Sequence, residues 1–316
     1  MSDLSRQIIG KQAAELGFIR DPFEKVYRLV DILRFFENVP LLSKNLALKG
    51  GTAINLTIFK LPRLSVDIDL DFTENLPLKE MLDARKIICD TMERFMSGNG
   101  YVLNSTKSRQ YHTLDSFVYH YLNTGGVKDN IKIEINYSLR SHVLPLTRRA
   151  IETLGVFASA TVLSLNSIEI FGAKIVALLT RAAARDLYDV YNMICHNLFD
   201  TVQEELLRKC IVFYVAVGTD SAPEEIDLGK VDSIAEHEIK TALAPVLRKK
   251  ERFNLTDAKE RVRKYLSELL ILTDNERKFL SAFRKREYCP GLLFDGETLE
   301  RLRNHPMALW KCAPRK

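Results

Sequence analysis

Two short segments constrain this chain more than any others: Leu48-Lys49-Gly50-Gly51-Thr52, and a little further on Ser65-Val66-Asp67-Ile68-Asp69-Leu70-Asp71. In the first, the apolar run Leu46 to Leu48 meets two glycines and a threonine and continues into Ala53-Ile54-Asn55-Leu56, which predicts a strand turning into a helix. Backbone amides at such a helix start favour anions. In the second, side chains alternate. Ser65, Asp67, Asp69 and Asp71 fall on one face, and Leu64, Val66, Ile68, Leu70 and Phe72 on the other. Three carboxylates on one strand face repel one another and lose solvation, and a cation between them relieves both costs. Oxygen donors of this kind select Mg²⁺ or Mn²⁺. A lone D-x-D strand is also what a charged, aggregation-resistant sheet edge looks like. The Gly-Gly-Thr turn just upstream shifts the reading towards metal and triphosphate together, the requirements of nucleotidyl transfer.

A length of 316 residues suggests about two domains. The net charge of +5 and pI near 8.8 are mild, compatible with a phosphate-bearing partner without proving one. Cys89, Cys195, Cys210, Cys289 and Cys312 show no C-x-x-C spacing and no histidine pairing, which argues against structural zinc and a disulfide framework. A reducing cytoplasm is expected. The opening Met1-Ser2-Asp3-Leu4 resembles neither a signal nor a transit peptide. No apolar run approaches the roughly 20 residues of a membrane helix, so no membrane partner is expected.

Along the chain, Asp21-Pro22 followed by Phe23, Val26, Tyr27, Val30 and Leu33 predicts a helix with Asp21 as N-cap and Pro22 at its first position. Met81 to Phe95 reads as another, ending at Ser97-Gly98-Asn99-Gly100. Strands are expected at Tyr101 to Leu103, Phe117 to Leu122 and Ile131 to Tyr137. In the last of these the isoleucines share one face and Lys132, Glu134 and Asn136 the other. If this strand lies beside the Asp67–Asp69 strand, Glu134 is a further metal carboxylate; at an edge it is merely solvated.

Composition changes after about Pro145, helical patterns dominate from there, and the division expected is 1–160 and 161–316. Asn166 and Glu169 have capping-box spacing. The helix they open is expected to carry Lys174, Arg181 and Arg185 along one stripe, with the last two as like charges at i,i+4 that an anion would relieve. In Arg185-Asp186-Leu187-Tyr188-Asp189, Asp186 is either the N-cap of a new helix, with Asp189 a first-turn acid, or a site residue. Basic clusters at Arg248-Lys249-Lys250, at Arg261, Arg263 and Lys264, and at Arg284-Lys285-Arg286 are the kind that most often form solvated helix faces.

Four ordered blocks, Leu48 to Ala53, Arg63 to Asp69, Ala173 to Arg181 and Arg185 to Asp189, resemble the AbiEii-type nucleotidyltransferase toxins, relatives of the mycobacterial MenT toxins. Arg286 to Phe294 is similar to that family's C-terminal region, so the resemblance covers nearly the whole chain. It implies a bilobed α/β (α+β) protein, with an N-terminal DNA polymerase β-type nucleotidyltransferase core and a mainly helical C-terminal lobe. It also implies a toxin of abortive infection or phage defence, neutralised by a cognate antitoxin. Family members use nucleoside triphosphates, and some add nucleotides to tRNA 3′ ends.

The expected reaction is in-line attack of an acceptor hydroxyl on the α-phosphorus of a nucleoside triphosphate. Asp67 and Asp69 are the expected metal ligands, with Glu134 a further candidate. Gly50, Gly51, Thr52, Ser65, Lys174, Arg181 and Arg185 are expected at the nucleotide, and Asp186 is a candidate to orient or deprotonate the acceptor, with Glu134 competing. Ser65 could instead accept a phosphoryl group that silences the enzyme, or simply be a buried strand serine. A metal-dependent nuclease and a non-catalytic nucleotide-binding module are the alternatives.

Overall fold

The alternating aspartate segment lies inside an eight-stranded mixed sheet, with strands β1 (Leu46–Lys49), β2 (Asp67–Phe72), β3 (Val102–Leu103), β4 (Arg109–Gln110), β5 (Leu114–Leu122), β6 (Lys128–Asn136), β7 (Thr147–Ala150) and β8 (Thr161–Ser164). The structure is a computed structural model that describes residues 5–314; Met1 to Leu4, on which the reading of the leader rests, lie outside them. The sheet order is β3-β5-β6-β2-β1-β8-β7, with β4 on β5. β2 runs parallel to β6 and antiparallel to β1. Ile68, Leu70 and Phe72 of β2 and Ile131, Ile133 and Ile135 of β6 are buried on one face. A slip of one residue would exchange these for Asp67, Asp69 and Glu134, at about 1.5–3 kcal/mol per exposed large apolar side chain, so the register is pinned.

The chain divides into two units. The first comprises Met1–Arg140, Leu146–Leu165 and Pro245–Glu251 and holds the whole sheet. Its helices are α1 (Arg6–Glu15), α2 (Arg20–Asn38), α3 (Pro40–Asn45), α4 (Gly50–Ala53, continuing as a π-helical turn over Ile54–Ile58) and α5 (Leu78–Gly98). Leu33 and Phe36 of α2 lie beside Leu46, Leu48 and Leu70 of the sheet. The start of α2 departs from expectation. Ile19 is the N-cap, Asp21 and Pro22 sit inside the first turn, and Asp21 accepts from Arg20 Nε at 2.6 Å. β7 and β8 fall where helical patterns were expected to take over, four residues each and too short for a period of two to show.

The late segment Pro245–Glu251 is tied back to this unit by backbone bonds. Val246 O accepts from Leu64 N at 2.8 Å, Lys249 N donates to Gly17 O at 2.7 Å, and the Arg248 guanidinium stands 4.7 Å from the Phe18 ring centroid.

The second unit, Ser141–Pro145, Asn166–Ala244 and Arg252–Lys316, is helical: α6 (Ser167–Arg181), α7 (Ala184–Cys195), α8 (Thr201–Gly218), α9 (Glu236–Glu238), α10 (Leu255–Leu269), α11 (Asp274–Arg284), α12 (Gly296–Leu302) and α13 (Pro306–Cys312). α6 and α8 approach closely at Gly172, where a Cβ would stand 2.9 Å from Cys210 Cβ. Asn166 caps α6, accepting from Ile168 N at 3.0 Å. Glu169 does not complete a capping box. It is fully buried and accepts from Val143 N at 2.9 Å, from Leu144 N at 3.0 Å and from the Tyr214 hydroxyl, with His142 Nδ1 3.5 Å away.

Burial alone would push the Glu169 carboxyl up, but His142, Tyr214 and the Leu144 amide outweigh it and hold the group below its ordinary 4.5. With the folded pKa depressed, the stability Glu169 contributes is complete above about pH 4.5 and is lost as pH falls through the folded value. Glu169→Gln is therefore expected to lower stability at neutral pH and to flatten the acid limb of a denaturation series. An unchanged acid limb would remove Glu169 as a source of that pH dependence.

Candidate active site

The site in the first unit begins with a turn that only glycines can make. Gly50 has φ +67°, and a Cβ there would stand 2.5 Å from Asp69 Oδ2. A Cβ on Gly51 would stand 2.8 Å from Arg63 Nη2 and 2.9 Å from Ser65 Oγ. The turn is thus pressed against the carboxylate strand, leaving backbone where a side chain would otherwise fill the space. Asn55 Nδ2 braces it from within α4's continuation, donating to Gly51 O at 2.8 Å. Gly50→Ala is expected to cost about 1–3 kcal/mol through its left-handed backbone and to displace Asp69. Denaturation and a transfer assay on that variant would check both, and full retention of each would contradict the packing described.

Thr52 is fully buried. Its hydroxyl donates to the Asp67 carbonyl and lies 3.0 Å from Ser65 Oγ, so it staples the turn to the strand. Ser65 precedes β2 and is 8% exposed, bonded to Thr52 rather than to backbone. Arg63 was missed in the sequence. It is 2% exposed, donates from Nη1 to Leu64 O at 2.9 Å, and forms the floor under Gly51. The sequence signals it gave were its place two residues before Ser65, at the strand period, and its position at the head of the Arg63 to Asp69 block.

On β2, Asp67 and Asp69 are half-buried on the polar face. Asp71 neither joins them nor lies in solvent, the two options the sequence left open: it is 1% exposed and ion-paired to Lys49 Nζ at 2.5 Å. The parallel register places Lys132 beside Asp67 and Glu134 beside Asp69. Glu134 therefore lies on the same face and next to the aspartates, but its carboxylate is drawn to Lys132 Nζ at 2.9 Å. Among the described residues no three His, Cys, Asp or Glu side chains are gathered to hold a metal ion. The donor chemistry of Asp67 and Asp69 fits a hard divalent cation of the Mg²⁺ kind, which is commonly bound through one or two carboxylates plus substrate phosphates and water.

The second unit holds a separate charged cluster. Lys174 Nζ lies 2.8 Å from Asp186 Oδ1 and 3.2 Å from Asp189 Oδ2, all three groups buried. Arg181 donates from Nε to Asp186 Oδ2 at 2.7 Å and from Nη2 to Oδ1 at 3.0 Å, a bidentate pair with its guanidinium largely exposed. Burial raises the Asp186 carboxyl, yet Lys174 and Arg181 prevail and hold it below the ordinary carboxylate range.

Three expectations change here. Asp186 caps nothing, since α7 begins at Ala184 with Ala183 as N-cap. Asp189, read as a first-turn acid, is a second counter-ion of Lys174 at i,i+3 from Asp186. Arg185 does not share a helix with Arg181, because α6 ends where Ala182 turns left-handed (φ 52°, ψ 43°). Arg185 Nε donates instead to Ala242 O at 2.8 Å, and the charge opposite Arg181 is Asp186. The structure therefore unites Lys174, Arg181, Asp186 and Asp189, and places Arg185 on the next helix, bonded through Nε to Ala242 O.

A search of curated proteins found no significant match to this chain. Among solved structures it is similar to MenT4, a nucleotidyltransferase toxin from Mycobacterium tuberculosis H37Rv, with a TM-score of 0.66 and 17% identity, covering 97% of this chain and 99% of that one. At that identity the likeness establishes the fold. Residues 34–284 match the family described as Nucleotidyl transferase AbiEii toxin, Type IV TA system. That span is most of the chain and contains both charged clusters, and the protein belongs to the AbiEii family of nucleotidyl transferase toxins of type IV toxin–antitoxin systems.

Proposed function

We propose that this protein transfers a nucleotide from a nucleoside triphosphate to an RNA acceptor, the tRNA 3′ end in our reading, on an N-terminal core of the DNA polymerase β type. The observation that carries the proposal is the packing of the Gly50-Gly51 turn against Asp69, a close approach of backbone to carboxylate that suits amides binding phosphate next to a metal-binding aspartate. A nuclease has no use for that turn.

In this reading the amides at Gly50 and Gly51 bind the distal phosphates, and Thr52, Ser65 and Arg63 fix the turn from below. Asp67 and Asp69 would hold a divalent cation, which would supply charge neutralisation at the reacting phosphate. Glu134 is an outer carboxylate of that set, tethered by Lys132. The acceptor oxygen forms its bond to the α-phosphorus as the bond to the pyrophosphate oxygen breaks, and the hydroxyl proton passes to solvent water.

Lys174, held by Asp186 and Asp189, and the exposed Arg181 are the candidate phosphate-binding cations of the second unit. Asp186 is a weak candidate for the base, because two cations keep its carboxyl acidic. A cognate antitoxin is the protein partner in this reading.

The test is incubation with total cellular RNA, Mg²⁺ and each labelled nucleoside triphosphate in turn. Label in a tRNA-sized band is the expected result. RNA cleaved with no triphosphate present would overturn the proposal in favour of a nuclease.

A further inference from the structure

The second unit contains a cleft of about 590 Å³ that the transfer reading does not use. Its walls come from the segment after α8, the end of α11 and the helix α13. Phe283, buried, contributes to the lining, together with Asp220, Arg284, Arg286, Trp310, Lys311 and several small residues.

Two features distinguish this cleft from an ordinary surface depression. Trp310 is the chain's single tryptophan, and it is 72% exposed. An indole left in solvent forgoes a large burial gain, and its flat face is the surface on which a nucleobase stacks. The second feature is charge: three cations face one carboxylate, Asp220. Arg286 is presented by a left-handed backbone at φ 66°, a conformation uncommon for a residue other than glycine. Lys311 is anchored by donating to the Thr219 carbonyl, and Arg284 is joined to the exposed Glu224 at 3.3 Å, a surface pair that a phosphate can replace at little cost.

We propose that this cleft binds an unpaired stretch of nucleic acid, one base stacked on Trp310 and the backbone phosphates on Arg284, Arg286 and Lys311. The stacked base supplies sequence-tolerant affinity and the cations supply salt-dependent affinity. A protein partner is the less favoured occupant, because an aromatic face ringed by cations suits alternating bases and phosphates better than it suits a mixed peptide surface. The site goes beyond the transfer reading and does not depend on it: binding needs neither triphosphate nor Asp67.

Because Trp310 is the only tryptophan, its emission reports on this cleft alone. The full-length protein is titrated at low salt, without triphosphate, with oligouridylate and with oligodeoxythymidylate. A saturable fall in emission that weakens as salt is raised is the expected result; a preference for the ribo strand marks RNA as the ligand, and equal response marks the chemistry the two strands share. The Arg284→Ala/Arg286→Ala variant is expected to bind at least about tenfold more weakly. Trp310→Leu, followed by anisotropy of a labelled strand, is expected to lose about tenfold as well. Emission unmoved at saturating oligonucleotide, an equal response to duplex RNA or to polyglutamate, or unchanged affinity in both variants would each overturn the proposal.

Discussion

Asp67→Asn is expected to lower nucleotide transfer by about a thousandfold or more while leaving the fold intact. The size follows from removing a preorganised charge at the reacting phosphate, where the loss of even one neutral donor costs about 100- to 1,000-fold. The fold is expected to survive because Asn is isosteric and Asp67 is half-buried on the polar face, opposite in sense to the packed isoleucines. The Thr52 hydroxyl is held by the Asp67 backbone carbonyl and not by its carboxylate, so that staple survives the substitution and the melting temperature is expected to change little. Transfer rates and thermal melts on the same preparation check both halves. Wild-type transfer in the Asn variant would dismiss Asp67 from the chemistry, and a collapsed melt would make it a structural residue.

Lys174→Met is expected to lower the stability of the helical unit by about 3–5 kcal/mol, since it leaves the buried carboxylates of Asp186 and Asp189 without their shared ammonium. Arg181 still reaches Asp186, which places the effect towards the low end of that range. The Asp186 carboxylate, held low in the native protein partly by Lys174, then gains from protonation, so the deficit is expected to shrink as the pH is lowered towards the ordinary carboxylate range. Urea denaturation of the variant at two pH values is the measurement. A stable variant that has lost transfer would mean that Lys174 serves the reaction alone. Equal stability and equal transfer would leave the cluster without a role.

The turn and the aspartate strand were legible because both are local. Two glycines before a helix and a strict period of two leave few alternative structures, and β1, α4 and β2 formed where those patterns lay. Other features depend on contacts between distant segments. Glu134's position beside Asp69 requires the strand order, which no local pattern carries. Asp71's burial requires Lys49 as a cross-strand partner. The break between Arg181 and Arg185 was hidden because an alanine, not a glycine, adopts the left-handed position at Ala182. The return of Pro245–Glu251 to the first unit rests on backbone bonds to Leu64 and Gly17, to which side-chain patterning is blind. Glu169 had the spacing for a cap, but the Val143 and Leu144 amides compete for its carboxylate and win.

The most direct test of nucleotidyl transfer compares two labels on the same triphosphate. With the α-phosphate labelled, the acceptor RNA is expected to become labelled, with one pyrophosphate released for each nucleotide added. With the γ-phosphate labelled, the RNA is expected to stay unlabelled and the label to leave in pyrophosphate. Label reaching the RNA from the γ-position would make this a phosphoryl transferase, and pyrophosphate release without labelled RNA would make it a hydrolase; either outcome would contradict the account.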